Sequence, residues 1–171
     1  LIVHAYDQPE VIHGQASVGM ELRAQAPDLD TLLVAVGGGG LIAGIAAAYR
    51  GSGARILGVE PRLAPTLHAA LAAGHPVPVA TSGLAADSLG AREVGRLAFE
   101  IARTEVERVL LVEEEAISEA QRALWRDLRV LLEPGGATAF AALLSGVYRP
   151  APSERVGIVL CGANTDPALI A

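Results

Sequence analysis

The 171-residue chain has the size of one domain, or a large part of one, and is long enough to bury a real core. Its hydrophobic share of 51% excludes a disordered polypeptide, and its formal net charge of −6, with no basic cluster, excludes nucleic acid as a general partner. A single Cys excludes an internal disulfide and points to a reducing compartment, the cytoplasm, and no apolar run reaches the roughly 18 residues of a membrane span. The chain opens inside an apolar run, Leu1–Val3, that reads as part of a strand, so an N-terminal portion of a larger protein is expected to precede it. Pro9–Ala26 reads as a helix, with Pro9 near its start and Pro27 closing it. Thr31–Val36 is a short apolar strand, Gly37–Gly40 a glycine loop, and Leu41–Tyr49 a helix rich in Ala, Leu and Ile. Arg55–Glu60 is a second strand, ended by Pro61, and Leu63–Ala73 a short helix stopped by Gly74.

His75–Leu84 carries Pro, Val and Gly in no regular pattern and reads as a loop. Gly90–Arg103 reads as a helix with Val94, Leu97, Ala98 and Ile101 on its apolar positions, and Arg108–Val112 as a strand. Glu113–Leu132 is expected to be the longest helix. Its acidic first turn complements the helix dipole, and Ile117, Ala120, Leu124, Leu128 and Leu131 form an apolar stripe. Ala137–Leu144 is a shorter helix after Gly135-Gly136, and Val156–Cys161 a last strand before Gly162-Ala163-Asn164. Strands alternating with helices imply an α/β fold, a three-layer αβα arrangement around a mainly parallel sheet. In such sheets ligands bind at the carboxyl ends of the strands, where Gly37–Gly40, Glu60 and Cys161–Asn164 fall.

The glycine loop carries the chemistry. Backbone N–H groups between a strand and a helix N-terminus can point at an anion, and the helix dipole favours negative charge there. Two ligands fit. Gly38-Gly39-Gly40-Leu41-Ile42-Ala43 matches the dinucleotide pattern G-x-G-x-x-A, and Glu60 ends the next strand about 20 residues on, where a ribose-binding acid belongs. A pyridoxal 5'-phosphate (PLP) cradle is the other.

Beyond the loop, the chain resembles the C-terminal portion of the threonine/serine dehydratase and serine racemase group, the fold-type II PLP enzymes. His4, Asp7, Pro9, Val11-Ile12 and Gly14-Gln15 resemble the family segment before the loop. Gly37-Gly38-Gly39-Gly40-Leu41 matches its tetraglycine phosphate loop, and Gly58-Val59-Glu60-Pro61 its following strand. Ala86-Asp87-Ser88-Leu89 resembles Ala-Asp-Gly-Leu, with Ser88 in place of Gly. Glu133-Pro134-Gly135-Gly136-Ala137 resembles Glu-Pro-(Ala/Ser)-Gly-Ala, and Cys161-Gly162-Ala163-Asn164 resembles (Ser/Cys)-Gly-Gly-Asn. The dinucleotide alternative accounts for nothing after Glu60.

The resemblance implies a role for each of these residues. Gly37, Gly38, Gly39, Gly40 and Leu41 would hold the cofactor phosphate, and a Cβ in the loop would block close approach. Cys161 would face the pyridine nitrogen, with Gly162 beside it and Glu133 near the ring. A thiol is a weak partner there, leaving the ring largely unprotonated. Glu60 resembles a glutamate that binds a divalent cation in part of the family, but Pro65 and Thr66 stand where an acid is usual, so no metal is carried over. His4, His13, His68 and His75 lack metal-ligand spacing.

The family reaction is elimination from threonine or serine to a 2-oxo acid and ammonia, commonly by a homodimer. It needs a Schiff-base lysine, which in the family lies upstream together with a small domain. All thirteen basic residues here are Arg, so residues 1–171 are expected to be the lysine-free C-terminal part of the PLP-dependent domain and catalytically incomplete alone. A fragment, one half of a split enzyme, or a non-catalytic binding module all fit that composition.

Overall fold

The computed structural model describes residues 3–170, so Leu1 and Ile2 of the expected first strand lie outside the described residues. Pro9, fixed in φ and without an N–H to satisfy, opens α1 (Pro9–Gln25). β1 (Thr31–Ala35) leads through the glycine loop into α2 (Gly40–Tyr49). β2 (Arg55–Pro61) and α3 (Thr66–Ala73) follow, then a single turn, α4 (Ala86–Leu89), and α5 (Arg96–Glu105). β3 (Val106–Val112), α6 (Glu114–Ala123), α7 (Pro134–Leu144) and β4 (Val156–Ile158) complete the order.

The four strands form one parallel sheet in the order β3-β2-β1-β4, with Thr31 opposite both Arg55 and Val156. Side chains alternate along β1, and each face has its own core. Leu32, Val34 and Val36 pack with α1, α2 and α5. Leu33 and Ala35, with Leu57 and Val59, pack against α6 and α7. The three-layer αβα arrangement expected from the alternation is thus present. α2 lies among β1, α1 and α5, which explains why its residues are apolar and seven of the ten are buried. At the amino end of the sheet, Arg55 bonds Thr31, Tyr148 and Glu154, tying β1, β2 and the approach to β4 together.

Several elements differ from the sequence reading. The expected Glu113–Leu132 helix is broken: α6 ends at Ala123 and continues as a π-helical turn, Leu124–Leu128, before Arg129 takes a left-handed φ of 58°. The longest helix is α1. The wider π turn shifts the angular spacing of side chains, so Ile117, Ala120 and Leu124 are buried as expected while Leu128 is 64% exposed. Gln121 then donates to the Leu132 carbonyl and fastens the returning chain. α5 starts at Arg96 rather than Gly90, and α3 at Thr66 rather than Leu63. In both cases an acid outside the helix caps it, Asp7 from far along the chain and Glu60 from the preceding strand: Asp7 Oδ1 accepts from Leu97 N at 2.8 Å, and Glu60 accepts from Leu67 and His68. Gly135-Gly136 lie inside the first turn of α7, and β4 ends at Ile158, leaving Cys161 beyond it.

From β1 the chain moves outward to β2 and β3, and β4 returns on the other side of β1. Such a switch opens a crevice at the carboxyl end of the sheet, here between the N-termini of α2 and α7.

Candidate active site

A cleft of about 330 Å³ occupies that crevice. Gly37, Gly38, Gly39, Gly40 and Leu41 form one wall; Glu133, Gly135, Gly136, Cys161 and Gly162 form the other. All eight residues expected from the family motifs to bind the cofactor therefore line one cavity. Tyr6 and Ser88 line it as well.

The loop is built so that its carbonyls are used and its N–H groups are not. The Gly37 carbonyl accepts from Thr66 Oγ1 at 2.6 Å, that of Gly38 from Gly95 N at 2.9 Å, and that of Gly39 from Ala43 N at 3.0 Å. The N–H groups of Gly37, Gly38 and Gly39 donate to no backbone or side-chain acceptor among the described residues. Gly40 and Leu41 are the first residues of α2, whose N–H groups have no partner within the helix. A run of unused donors at a helix N-terminus is an anion cradle. Gly39 has φ +90°, which disfavours any side chain, and a Cβ there would come within 2.9 Å of Val94 and Ala98.

The opposite wall is equally close-packed. Glu133 precedes the first turn of α7; its N–H donates to the Gly162 carbonyl at 3.1 Å, and its own carbonyl accepts from Ala137 N. A Cβ on Gly136 would overlap the Cys161 carbonyl, and one on Gly162 the Glu133 carboxylate. Ser88 Oγ accepts from Gly135 N at 3.1 Å, filling space that Gly135 leaves free. Burial pushes the Cys161 thiol up, and the Glu133 carboxylate pushes it further, so the sulfur stays protonated at neutral pH.

Tyr6 is a site residue the sequence reading missed. Its ring lies directly on Gly38, and its hydroxyl donates to the Glu93 carbonyl at 3.3 Å. His4 organises this segment, its Nδ1 accepting from Asp7 N at 2.8 Å and Tyr6 N at 3.3 Å. An aromatic residue before Asp-x-Pro carries no signal of its own; only the turn made by His4 brings it to the loop.

Glu60 does not line the cleft. It is fully buried, and its carboxylate accepts from Thr66 Oγ1 and Leu67 N at 2.8 Å and from His68 N at 2.9 Å. Burial raises its pKa to about 7 against those donors. A carboxylate enclosed as a helix cap is not exposed to a ribose, which removes the support for the dinucleotide alternative. No group of three His, Cys, Asp or Glu able to hold a metal occurs among the described residues.

Residues 1–162 match the family model for pyridoxal-phosphate dependent enzymes. The chain belongs to that family. Its cofactor is PLP, and the free N–H groups of the glycine loop suit a phosphate monoester. A phenylserine dehydratase of Ralstonia pickettii is 36% identical over 171 residues, 99% of this chain and 52% of the relative. An L-threonine ammonia-lyase of Geobacter sulfurreducens is 41% identical over 168 residues, 97% of this chain and 42% of the relative. The solved structure of maize serine racemase superposes with a TM-score of 0.91 at 34% identity, covering 99% of this chain and 53% of that one. The family thus includes both lyases and racemases, and the chain spans about half the length of the curated relatives it matches.

Proposed function

We propose that this chain is the cofactor-binding C-terminal portion of a PLP-dependent ammonia-lyase acting on threonine or serine. The observation that carries the reading is the glycine loop: its carbonyls are tied back to the protein, the Gly37–Gly39 N–H groups have no acceptor among the described residues, and the loop lines a cleft with a protonated thiol on the opposite wall.

Bound PLP supplies an electron sink for carbanion chemistry at the amino-acid α-carbon. Gly37–Gly40 and Leu41 hold its phosphate through backbone N–H groups, helped by the α2 dipole. Cys161, a neutral thiol on the opposite wall, would serve the ring nitrogen as the family resemblance implies, and is too weak an acid to protonate it as a carboxylic acid would. Elimination tolerates this, because the departing hydroxyl carries the electrons away; the products are a 2-oxo acid and ammonia. Gly162 and Gly136 let the two backbones close on each other, and Glu133 fixes the edge beside them.

The polypeptide contains no Lys, so the covalent anchor for the cofactor must come from other sequence, whether upstream or on a partner polypeptide, or the protein binds PLP without turnover. Equilibrium dialysis of PLP with inorganic phosphate as competitor tests the cradle without a substitution. PLP should be retained and displaced by phosphate; binding indifferent to phosphate would overturn the assignment. A Gly39→Asp variant is a poorer probe, since its side chain would also strike Val94 and Ala98. Formation of 2-oxobutanoate from threonine by the isolated polypeptide would overturn its incompleteness. An intact mass well above 17.5 kDa in the native source would identify the polypeptide as a piece of a longer enzyme, and a mass of 17.5 kDa would direct the search to a lysine-bearing partner.

A further inference from the structure

The N–H groups of the glycine loop are aimed by what holds the carbonyls on the other side of the same peptide planes. A trans peptide sets its C=O and N–H in opposite directions, so the Gly37 carbonyl fixes where the Gly38 N–H points, and the Gly38 carbonyl fixes that of Gly39. The Gly38 carbonyl is held by a backbone N–H, from Gly95. The Gly37 carbonyl is held by a side chain, Thr66 Oγ1, at 2.6 Å.

Thr66 is fully buried at the first turn of α3, and its hydroxyl also lies 2.8 Å from Glu60 Oε1, itself fully buried. A hydroxyl has one proton and a carbonyl can only accept, so Gly37 and an ionised Glu60 compete for it. Glu60 already receives the N–H groups of Leu67 and His68. Those bonds hold Glu60 against the start of α3, and they keep the Thr66 hydroxyl between the acid and the loop.

We propose that Thr66 is the positioning residue of the phosphate cradle: through the Gly37 carbonyl it aims the Gly38 N–H at a phosphate monoester, and Glu60 holds Thr66 in place. This rests on the reading of Gly37–Gly40 as the phosphate site. Thr66 touches neither the cofactor nor the substrate in this role.

The test is equilibrium dialysis of PLP and, separately, of inorganic phosphate, with circular dichroism on every variant. Thr66→Val keeps the shape and removes the hydroxyl. It should weaken both ligands by the same factor, about tenfold for one lost hydrogen bond. Thr66→Ser restores the hydroxyl and should restore both affinities. Glu60→Gln turns one carboxylate oxygen into a donor facing the Leu67 or His68 N–H, so it loosens the hold on Thr66 and should weaken both ligands in the direction of Thr66→Val, with no further loss when the two substitutions are combined. Equal phosphate affinity in Thr66→Val and the unaltered protein would overturn the role of Thr66 and leave the cradle standing. If Thr66→Val does not fold, Glu60→Gln decides: phosphate binding unchanged in a folded variant would overturn the proposal. Failure of the unaltered protein to bind either ligand would instead overturn the phosphate site itself.

Discussion

Two acids, Glu60 fully buried and Glu154 half-buried, sit at opposite ends of the sheet and are shifted in opposite directions. Burial raises Glu60 from its ordinary value near 4.5 to about 7. Between those values the folded protein holds a proton the unfolded chain has released, so stability falls as pH rises through this window and levels off above pH 7. The full effect is about 3 kcal/mol at 1.36 kcal/mol per pH unit. Hydrogen bonds from Thr31, Tyr148 and the Ala151 N–H hold Glu154 down to about 2. Its stabilisation is present above pH 4.5 and lost as pH falls toward 2, so the two acids act in separate windows. Urea unfolding at pH 5 and pH 7.5 should show the unaltered protein less stable at the higher pH, and Glu60→Gln should remove most of that difference. Equal midpoints in the unaltered protein would refute the buried, proton-binding state of Glu60.

At the scale of elements, the helices and strands were legible because their apolar spacing was, but their ends were not. α5 begins where Asp7 caps it from the far end of the chain, a contact that no local window contains, and α3 begins where Glu60, at the end of β2, folds back across a short loop to cap it. The break after Ala123 escaped detection because a 3.6-residue period runs on smoothly through Leu124, Leu128 and Leu131, while the backbone widens into a π turn. The eight expected cleft residues were legible for a different reason: motifs in a fixed order along the chain identify a fold whose geometry then assembles them. Tyr6 and Thr66 act through contacts that only the fold creates. So does the crossing of α1 and α2, where a Cβ on Gly44 would come within 2.6 Å of Ala16 N and the Ile12 carbonyl. Both are backbone atoms and cannot swing aside. Gly44→Leu should therefore cost about 1–3 kcal/mol or more, read as a lower thermal midpoint. An unchanged midpoint would mean the two helices are not in that close contact.

The molecule as a whole buries two good cores yet leaves a coherent apolar surface on the α6–α7 side. Leu128, carried outward by the π turn, is 64% exposed; Leu144, the last residue of α7, and Val147, just beyond it, are exposed as well. A shallow groove of about 260 Å³ runs between the π turn and α7, with Leu124, Phe140 and Leu144 along it and the Arg126–Asp127 ion pair at its edge. Exposed apolar surface of this kind favours association, and a net charge of −6 opposes it only weakly at physiological salt. The isolated polypeptide should therefore scatter light as a species heavier than 17.5 kDa, increasingly so with concentration. Leu128→Asp places a charge at the most exposed point of the patch without touching the cleft, and should shift the population toward the monomer while leaving PLP retention unchanged. A clean monomer for the unaltered chain at high concentration would show that this face needs no covering. Association unaffected by Leu128→Asp would move the contact to another surface, with Met20 on α1, 66% exposed, the next place to test.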